Sequence, residues 1–289
     1  MSFQWSRNDP SAGEGFVRIA REQIGKAIRA AENSGQPPEK RVHEARRRCK
    51  KLRALLRLVR LDFPHYSTEN AFVRDASRSL AGARDERVAR LTYDELMKSA
   101  GRPVPPREEE PTDPEAEAAA LASFATQMRE LQARTTHWPS NRIALGTLAA
   151  GLRDNYRRGR ETRRIAELRR TDETFHEWRK YTKYHWNQLR LLEACARDIL
   201  PSVHSSAGEL AELLGLHHDL AVLGHILATS PGEITADVDV DFAQEAIARR
   251  QRELEVRIET LGRQLFAEKP KALKARFAAY LRSWHKAAA

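Results

Sequence analysis

The sequence predicts an all-α protein containing two copies of one helical unit. Apolar residues recur at spacings of three and four almost throughout, the period of a helix with one buried side. No stretch alternates apolar with polar residues for long enough to form a half-buried strand. Two segments 133 residues apart also carry the same order of bases and leucines. With 41% hydrophobic residues and only 14 Gly and 13 Pro in 289, the chain can build a core and is neither fibrous nor wholly disordered.

Breaks in the pattern delimit the elements. Residues 1–13 are polar, with Phe3 and Trp5 scattered among them, and are expected to be flexible. A first helix sets Ile19, Ala20, Ile24 and Ala27 opposite Arg18, Arg21 and Arg29, and ends at Ser34-Gly35-Gln36-Pro37-Pro38. A second runs to Asp62-Phe63-Pro64. Five prolines and four acids between Ser99 and Pro114 mark a linker, residues 99–114, between a first half (14–98) and a second (115–289) of one domain. In the second half Arg153, Arg157 and Arg160 lie opposite Leu145, Leu148 and Leu152. Ser230-Pro231-Gly232 opens a loop to about Asp241. Lys269–Lys286 forms a last amphipathic helix around Leu273, Phe277, Tyr280 and Leu281.

The charge narrows the partner. Fifty Lys and Arg against 40 acids give a net +10, and 39 of the 50 are Arg, whose planar fork suits carboxylates and phosphates. A phosphate-rich partner is therefore expected. Cys49 and Cys195 form neither a metal-ligand spacing nor a disulfide framework. No signal peptide is evident, and no apolar run reaches the roughly 18 residues a membrane helix needs, so a cytoplasmic protein without membrane insertion is expected.

The repeat carries the most information. His43-Glu44, Arg46-Arg47, Lys50 and Leu56-Arg57-Leu58 reappear at identical intervals as His176-Glu177, Arg179-Lys180, Lys183 and Leu189-Arg190-Leu191. Further on, Leu80 and Arg84-Asp85 match Leu214 and His218-Asp219 at an offset of 134. At 100° per residue, His43, Arg46, Arg47, Lys50 and Arg57 share one side of their helix, with Arg53 at its edge. Ala45, Cys49, Leu52, Leu55, Leu56 and Val59 lie opposite. In the second copy His176, Arg179, Lys180, Lys183, Asn187 and Arg190 share a face, opposite Trp178, Tyr181, His185, Leu189 and Leu192. Each strip is about 21 Å long at 1.5 Å per residue. Clustered like charges repel by a few tenths of a kcal/mol per exposed pair, and only Glu44 and Glu177 flank the strips. A solvated face would mix signs. A strip carried twice at one spacing points to a polyanion that neutralises it.

At these residues the chain resembles the conserved-histidine α-helical (CHAD) family, from about Phe16 to Trp284. The two H-E-x-R-[RK]-x-x-K helices, the Tyr156-Arg157-Arg158-Gly159-Arg160 run and the Arg84-Asp85 and His218-Asp219 turns carry the resemblance. It implies two four-helix bundles related by a pseudo-twofold axis, with the basic helices facing a positively charged groove or pore. It also implies binding of inorganic polyphosphate without catalysis or cofactor, and an association with polyphosphate granules. By position the implied contacts are His43, Arg46, Arg47, Lys50, Arg57, His176, Arg179, Lys180, Lys183 and Arg190. Arg53, Arg18, Arg21, Arg29, Arg157 and Arg160 join them from the helix faces. Asp85 and Asp219 are expected to orient basic residues. Two positions depart from the pattern: Leu80-Ala81 stands where the second half has Leu214-Gly215, and Trp186 stands where the first copy has Arg53.

Two alternatives remain at this level. His217-His218-Asp219 resembles the HD dipeptide of metal-dependent phosphohydrolases, but an isolated dipeptide does not define a metal site, and none is assigned. A generic polyanion or nucleic-acid binder would use the same electrostatics. It is disfavoured because no aromatic residue is expected on either strip to stack bases. No Walker A loop, H-E-x-x-H or nucleophile elbow is present, so no catalytic residue is assigned.

Overall fold

The computed structural model describes residues 3–80, 84–104, 114–235 and 238–286, with side chains for all of these except 84–87 and 286. Every regular element among the described residues is helical: ten α-helices and four short 3-10 turns. Helix α1 (Ala12–Glu32) begins where Ser11 Oγ accepts the Glu14 N–H at 3.1 Å, and it buries a stripe from Phe16 through Ile19, Ile24 and Ile28 to Ala31. Helix α2 (Pro38–Val59) opens with proline in its first turn, where no backbone donor is needed. Its first fifteen residues bury only Ala45, Cys49 and Leu52, whereas Ala54, Leu55, Leu56, Leu58 and Val59 are all buried towards its end. Near that end α2 is enclosed, because α1 (Ala12–Glu32), α3 (Tyr66–Arg78), α6 (Leu145–Arg169) and α7 (Asp172–Leu192) all pack against it.

The remaining elements are α4 (Arg84–Ser99), α5 (Pro114–Arg134), α8 (Leu200–Thr229), α9 (Val240–Leu265) and α10 (Pro270–Lys286). α5 packs on α1 and α3, α7 packs between α6 and α8, α9 packs on α8, and α10 packs on α6. α4 precedes the Pro-rich segment yet packs on α8 and α9, so the earlier helices reach across onto the later ones. Advancing α2 by 133 residues brings it within one residue of the bounds of α7, and α1 starts in register with α6. The equivalence then loosens. α3 and α4 are two helices, while α8 runs unbroken for 30 residues over the corresponding stretch. Most of the linker expected at 99–114, residues 105–113, lies outside the described residues.

Three features tie these helices together. Phe16, Phe63 and Trp138 pack ring to ring at 5.0–5.2 Å, joining α1 to the turn after α2 and to the connection after α5. Arg60 at the end of α2 pairs with the buried Asp154 of α6, which also accepts from Arg157 at 3.1 Å. At the crossing of α2 and α6, Gly151 lies against the Leu58 carbonyl so closely that a Cβ would overlap it.

The expectation that residues 1–13 are flexible is corrected for residues 3–13, of which Ala12 and Gly13 already belong to α1. Phe3 and Trp5 are buried, Trp5 being 2% exposed, and the Trp5 backbone N–H donates to the Leu191 carbonyl of α7 at 3.1 Å. The indole N–H donates to the Ala12 carbonyl at 3.0 Å, and Arg18 clamps Asp9 at 2.6 Å. Two large aromatic side chains gain too much by burial to stay in water, whatever the polarity of their neighbours.

No helix among the described residues is long and apolar enough to cross a membrane. Gly151→Ala is expected to destabilise the fold by about 3 kcal/mol, since the obstructing atom is backbone and cannot repack. Thermal unfolding checks this: a variant that melts with the parent would show that α2 and α6 are not in such close contact.

Candidate anion-binding site

The basic residues of α2 emerge from the part of the helix that its neighbours leave uncovered. His43, Arg47 and Lys50 are exposed, and Arg46, Arg53 and Arg57 are half-buried. Arg46 reaches the Leu80 carbonyl at 3.4 Å, and Arg53 Nε donates to Asn70 Oδ1 at 3.2 Å. On α7, His176 is exposed and Arg179, Lys180, Lys183 and Arg190 are half-buried. Trp186, which replaces the arginine of the first copy, stacks on His204 with ring centroids 5.7 Å apart.

The strips are less free of acid than their sequence suggests. Glu44 pairs with Arg47 at 2.6 Å and also with Arg48, and Glu177 pairs with Lys180 at 2.6 Å. Arg47 and Lys180 are equivalent in the repeat, so each copy carries the same i,i+3 pair at its edge. Glu44 is held below its usual carboxylate range: its two arginine partners outweigh partial burial, which alone would raise it. Arg190 in turn pairs with Glu193 at 2.6 Å.

The two strips meet at the contact between α2 and α7. Arg57 of α2 lies over the Tyr184 ring at 4.3 Å and near the Tyr181 ring at 5.7 Å. Lys180 of α7 approaches the same Tyr181 ring at 5.3 Å, and Arg158 of α6 does so at 6.0 Å while its Nη1 donates to the Tyr181 hydroxyl at 3.4 Å. Tyr181 was expected on the apolar side, away from the bases. It is buried, but among cations, because α2 covers that side of α7.

Beside this contact, α7 and α8 bring three nitrogen-bearing side chains together. His176 Nδ1 and His218 Nδ1 are 3.2 Å apart, with ring centroids at 4.5 Å. Arg179 lies next to them and beside Gly215, its Nε buried without a hydrogen-bond partner among the described residues. Burial lowers the pKa of Arg179, and the charge of Asp219 opposes that shift. Burial likewise pulls His176 below its ordinary value, with Arg179 adding to the effect. His218 falls to about 4, through burial first and then the charges of Arg179, His176 and Lys183. Sequence reasoning had set His218 aside as part of an HD dipeptide. The signal that could have placed it was its alignment with Arg84 in the repeat.

Several predicted contacts are engaged elsewhere. Arg18 binds Asp9 and Glu22, Arg21 donates to Thr135 Oγ1 at 2.9 Å, and Arg157 pairs with Asp154 and Glu161. Arg160 donates to the Ala267 and Glu268 carbonyls just past the end of α9. Arg18, Arg21 and Arg160 thereby brace the fold, whereas both partners of Arg157 lie on its own helix. Arg29 is exposed in the last turn of α1. The side chain of Asp85 lies outside the described residues.

The three residues of the metal alternative do not converge. His217 is buried, stacks on Phe175 at 4.3 Å and faces Glu255 of α9 at 3.3 Å, whereas His218 faces α7. Among the described residues no group of three or more His, Cys, Asp or Glu side chains is placed to hold a metal ion.

Within an all-helical fold, two basic helices that repeat one motif thus meet over a pair of tyrosines. Comparison with protein-family models matches the CHAD domain over residues 18–228, and the chain belongs to that family. The match runs from α1 through nearly the end of α8, so α9 and α10 lie beyond it. A search of curated proteins returns no significant match.

Folding holds four histidines, His176, His185, His204 and His218, below their ordinary value of 6.5. His185 is fully buried beside Tyr156 and Phe266 and falls to about 3. The unfolded chain therefore takes up protons first as pH falls below 6.5, and stability is lost through that range. At pH 5 His185 alone contributes a loss of about 2 kcal/mol. Thermal melts should show a lower Tm at pH 5 than at pH 7, with a smaller drop in His185→Gln. A Tm that holds or rises at pH 5 would contradict the buried neutral histidines.

Proposed function

We propose that this protein binds inorganic polyphosphate without catalysis, the basic strips of α2 and α7 gripping one chain together. The observation that carries this reading is the Tyr181 ring, approached by Arg57 from one copy of the motif and by Lys180 from the other. It makes the two strips neighbours, so that a linear anion can pass from one to the next. Membership of a family linked to polyphosphate binding supports the same ligand.

On this reading His43, Arg46, Lys50 and Arg53 of α2 donate to phosphate oxygens, as do His176, Arg179 and Lys183 of α7. Charge-assisted hydrogen bonds of this kind are roughly twice as strong as neutral ones. Arg47, Lys180 and Arg190 contribute after exchanging their glutamate partners for phosphate. Arg57 stays over the tyrosines and supplies charge at the junction. Asp219 orients Arg179, as the opposing charge beside it suggests, and Asp85 is assigned the same part in the first copy. The two halves, 14–98 and 115–289, then act as paired helical bundles about a shared basic groove. A cytoplasmic protein associated with polyphosphate granules fits this role.

Affinity should come from phosphate neutralisation and counterion release, not from base readout. Calorimetric titration with long-chain polyphosphate is expected to show binding that weakens by about 100-fold or more between about 50 and 200 mM salt. Orthophosphate and duplex DNA should bind far more weakly. Equal affinity for DNA would reduce the strips to a generic polyanion surface, and affinity indifferent to salt would contradict the electrostatic account.

A further inference from the structure

The two copies of the motif differ at one chemically decisive place. Where the first has Arg84 before its aspartate, with a permanent charge, the second has His218, which can gain or lose one. That histidine meets His176 across α7 and α8 with 3.2 Å between the Nδ1 atoms. At this distance a neutral pair is stable when one nitrogen donates and the other accepts. Once both nitrogens carry hydrogen, two donors face each other and only an inserted acceptor can satisfy them.

The surroundings supply positive charge and little acceptor capacity. From α7 the pair is exposed to Arg179, Lys180, Lys183 and Glu177, and from α8 to His217. Glu177 is bound to Lys180, and the Asp219 charge bears on Arg179. On α9, Glu255 is occupied by His217 and Arg170. On α4, the side chains of residues 84–87 lie outside the described set. Burial and these cations keep both imidazoles neutral near pH 7 in the free protein, His218 most firmly.

We propose that His176 and His218 form a proton-coupled site for one phosphoryl group of the bound chain. A phosphoryl oxygen enters between the rings and accepts from both Nδ1–H groups, while Arg179 and Lys183 contribute permanent charge. The extra hydrogen comes from solvent and is released again when the anion leaves. Binding at the second copy therefore strengthens as pH falls. This rests on the polyanion-binding reading above and adds its regulation.

The test is calorimetric titration of the full chain with long-chain polyphosphate at pH 7, in two buffers of different ionisation enthalpy. Internal phosphates of long chains do not titrate there, so the buffer dependence counts protons taken up by the protein. Uptake of about one proton per bound chain is expected. His218→Arg, which installs the first copy's residue, and His218→Asn should both bind yet lose most of that uptake. Polyphosphate binding with no proton uptake, or with uptake unchanged in both variants, would overturn this inference and leave the polyphosphate reading standing. No binding in either buffer would overturn both. Ring-nitrogen NMR on the unsubstituted protein needs no variant: polyphosphate should leave hydrogen on Nδ1 of both rings with one added proton shared by the pair, and unshifted rings would refute the site.

Discussion

Like charges gathered on a rigid scaffold are the constraint on which the rest of this structure depends. The lower half of α2 is enclosed by four other helices, and Gly151 brings α6 almost into the backbone of α2. Such close packing fixes the directions in which the remaining side chains point. It leaves the arginines, lysines and histidines of α2 and α7 no freedom to separate as they would on isolated helices. Where Arg57, Lys180 and Arg158 crowd Tyr181, the ring's negative face takes up part of their charge.

The acids of the chain are deployed to match. Glu44 and Glu177 each neutralise one edge base of their strip, and Asp154 braces α2 to α6 through Arg60. Elsewhere Asp9, Glu69 and Glu268 hold arginines that serve the fold. Histidine fills the places where a permanent charge would be most costly. His185 sits neutral in the core, and His218 stands where the first copy has arginine. The charge pattern thus separates into bases whose partners lie on other elements, which brace helices, and bases gathered on the strips of α2 and α7.

Much of this was legible from spacing alone. The duplicated motif gave the helix carrying each strip and the side it occupies, because a 3.6-residue period places bases and leucines on opposite arcs without further information. Breaks at Pro and Gly gave the main boundaries between the helices. What spacing could not supply was the neighbour. Tyr181 falls on the apolar side of an isolated α7, yet α2 packs there and brings Arg57 over it. His218 is one residue in a dipeptide until α7 and α8 pack together and set it against His176. Arg18, Arg21 and Arg160 looked like strip residues on their own helices, and only the fold supplies the Asp9 carboxylate, the Thr135 hydroxyl and the carbonyls that occupy them. Trp5 was misread for the same reason, since its partner Leu191 is far away in sequence.

The central claim is that the strips of α2 and α7 grip a single chain. A double-mutant cycle on their equivalent lysines tests it most directly, with polyphosphate affinity measured for Lys50→Glu, Lys183→Glu and the pair. Neither lysine is buried, so the fold should tolerate each change. The account predicts that each substitution alone weakens binding to long chains, and that short chains able to span only one strip feel just one of the two. Loss of affinity confined to one lysine, whatever the chain length, would mean that a single strip binds and that the second copy has another purpose.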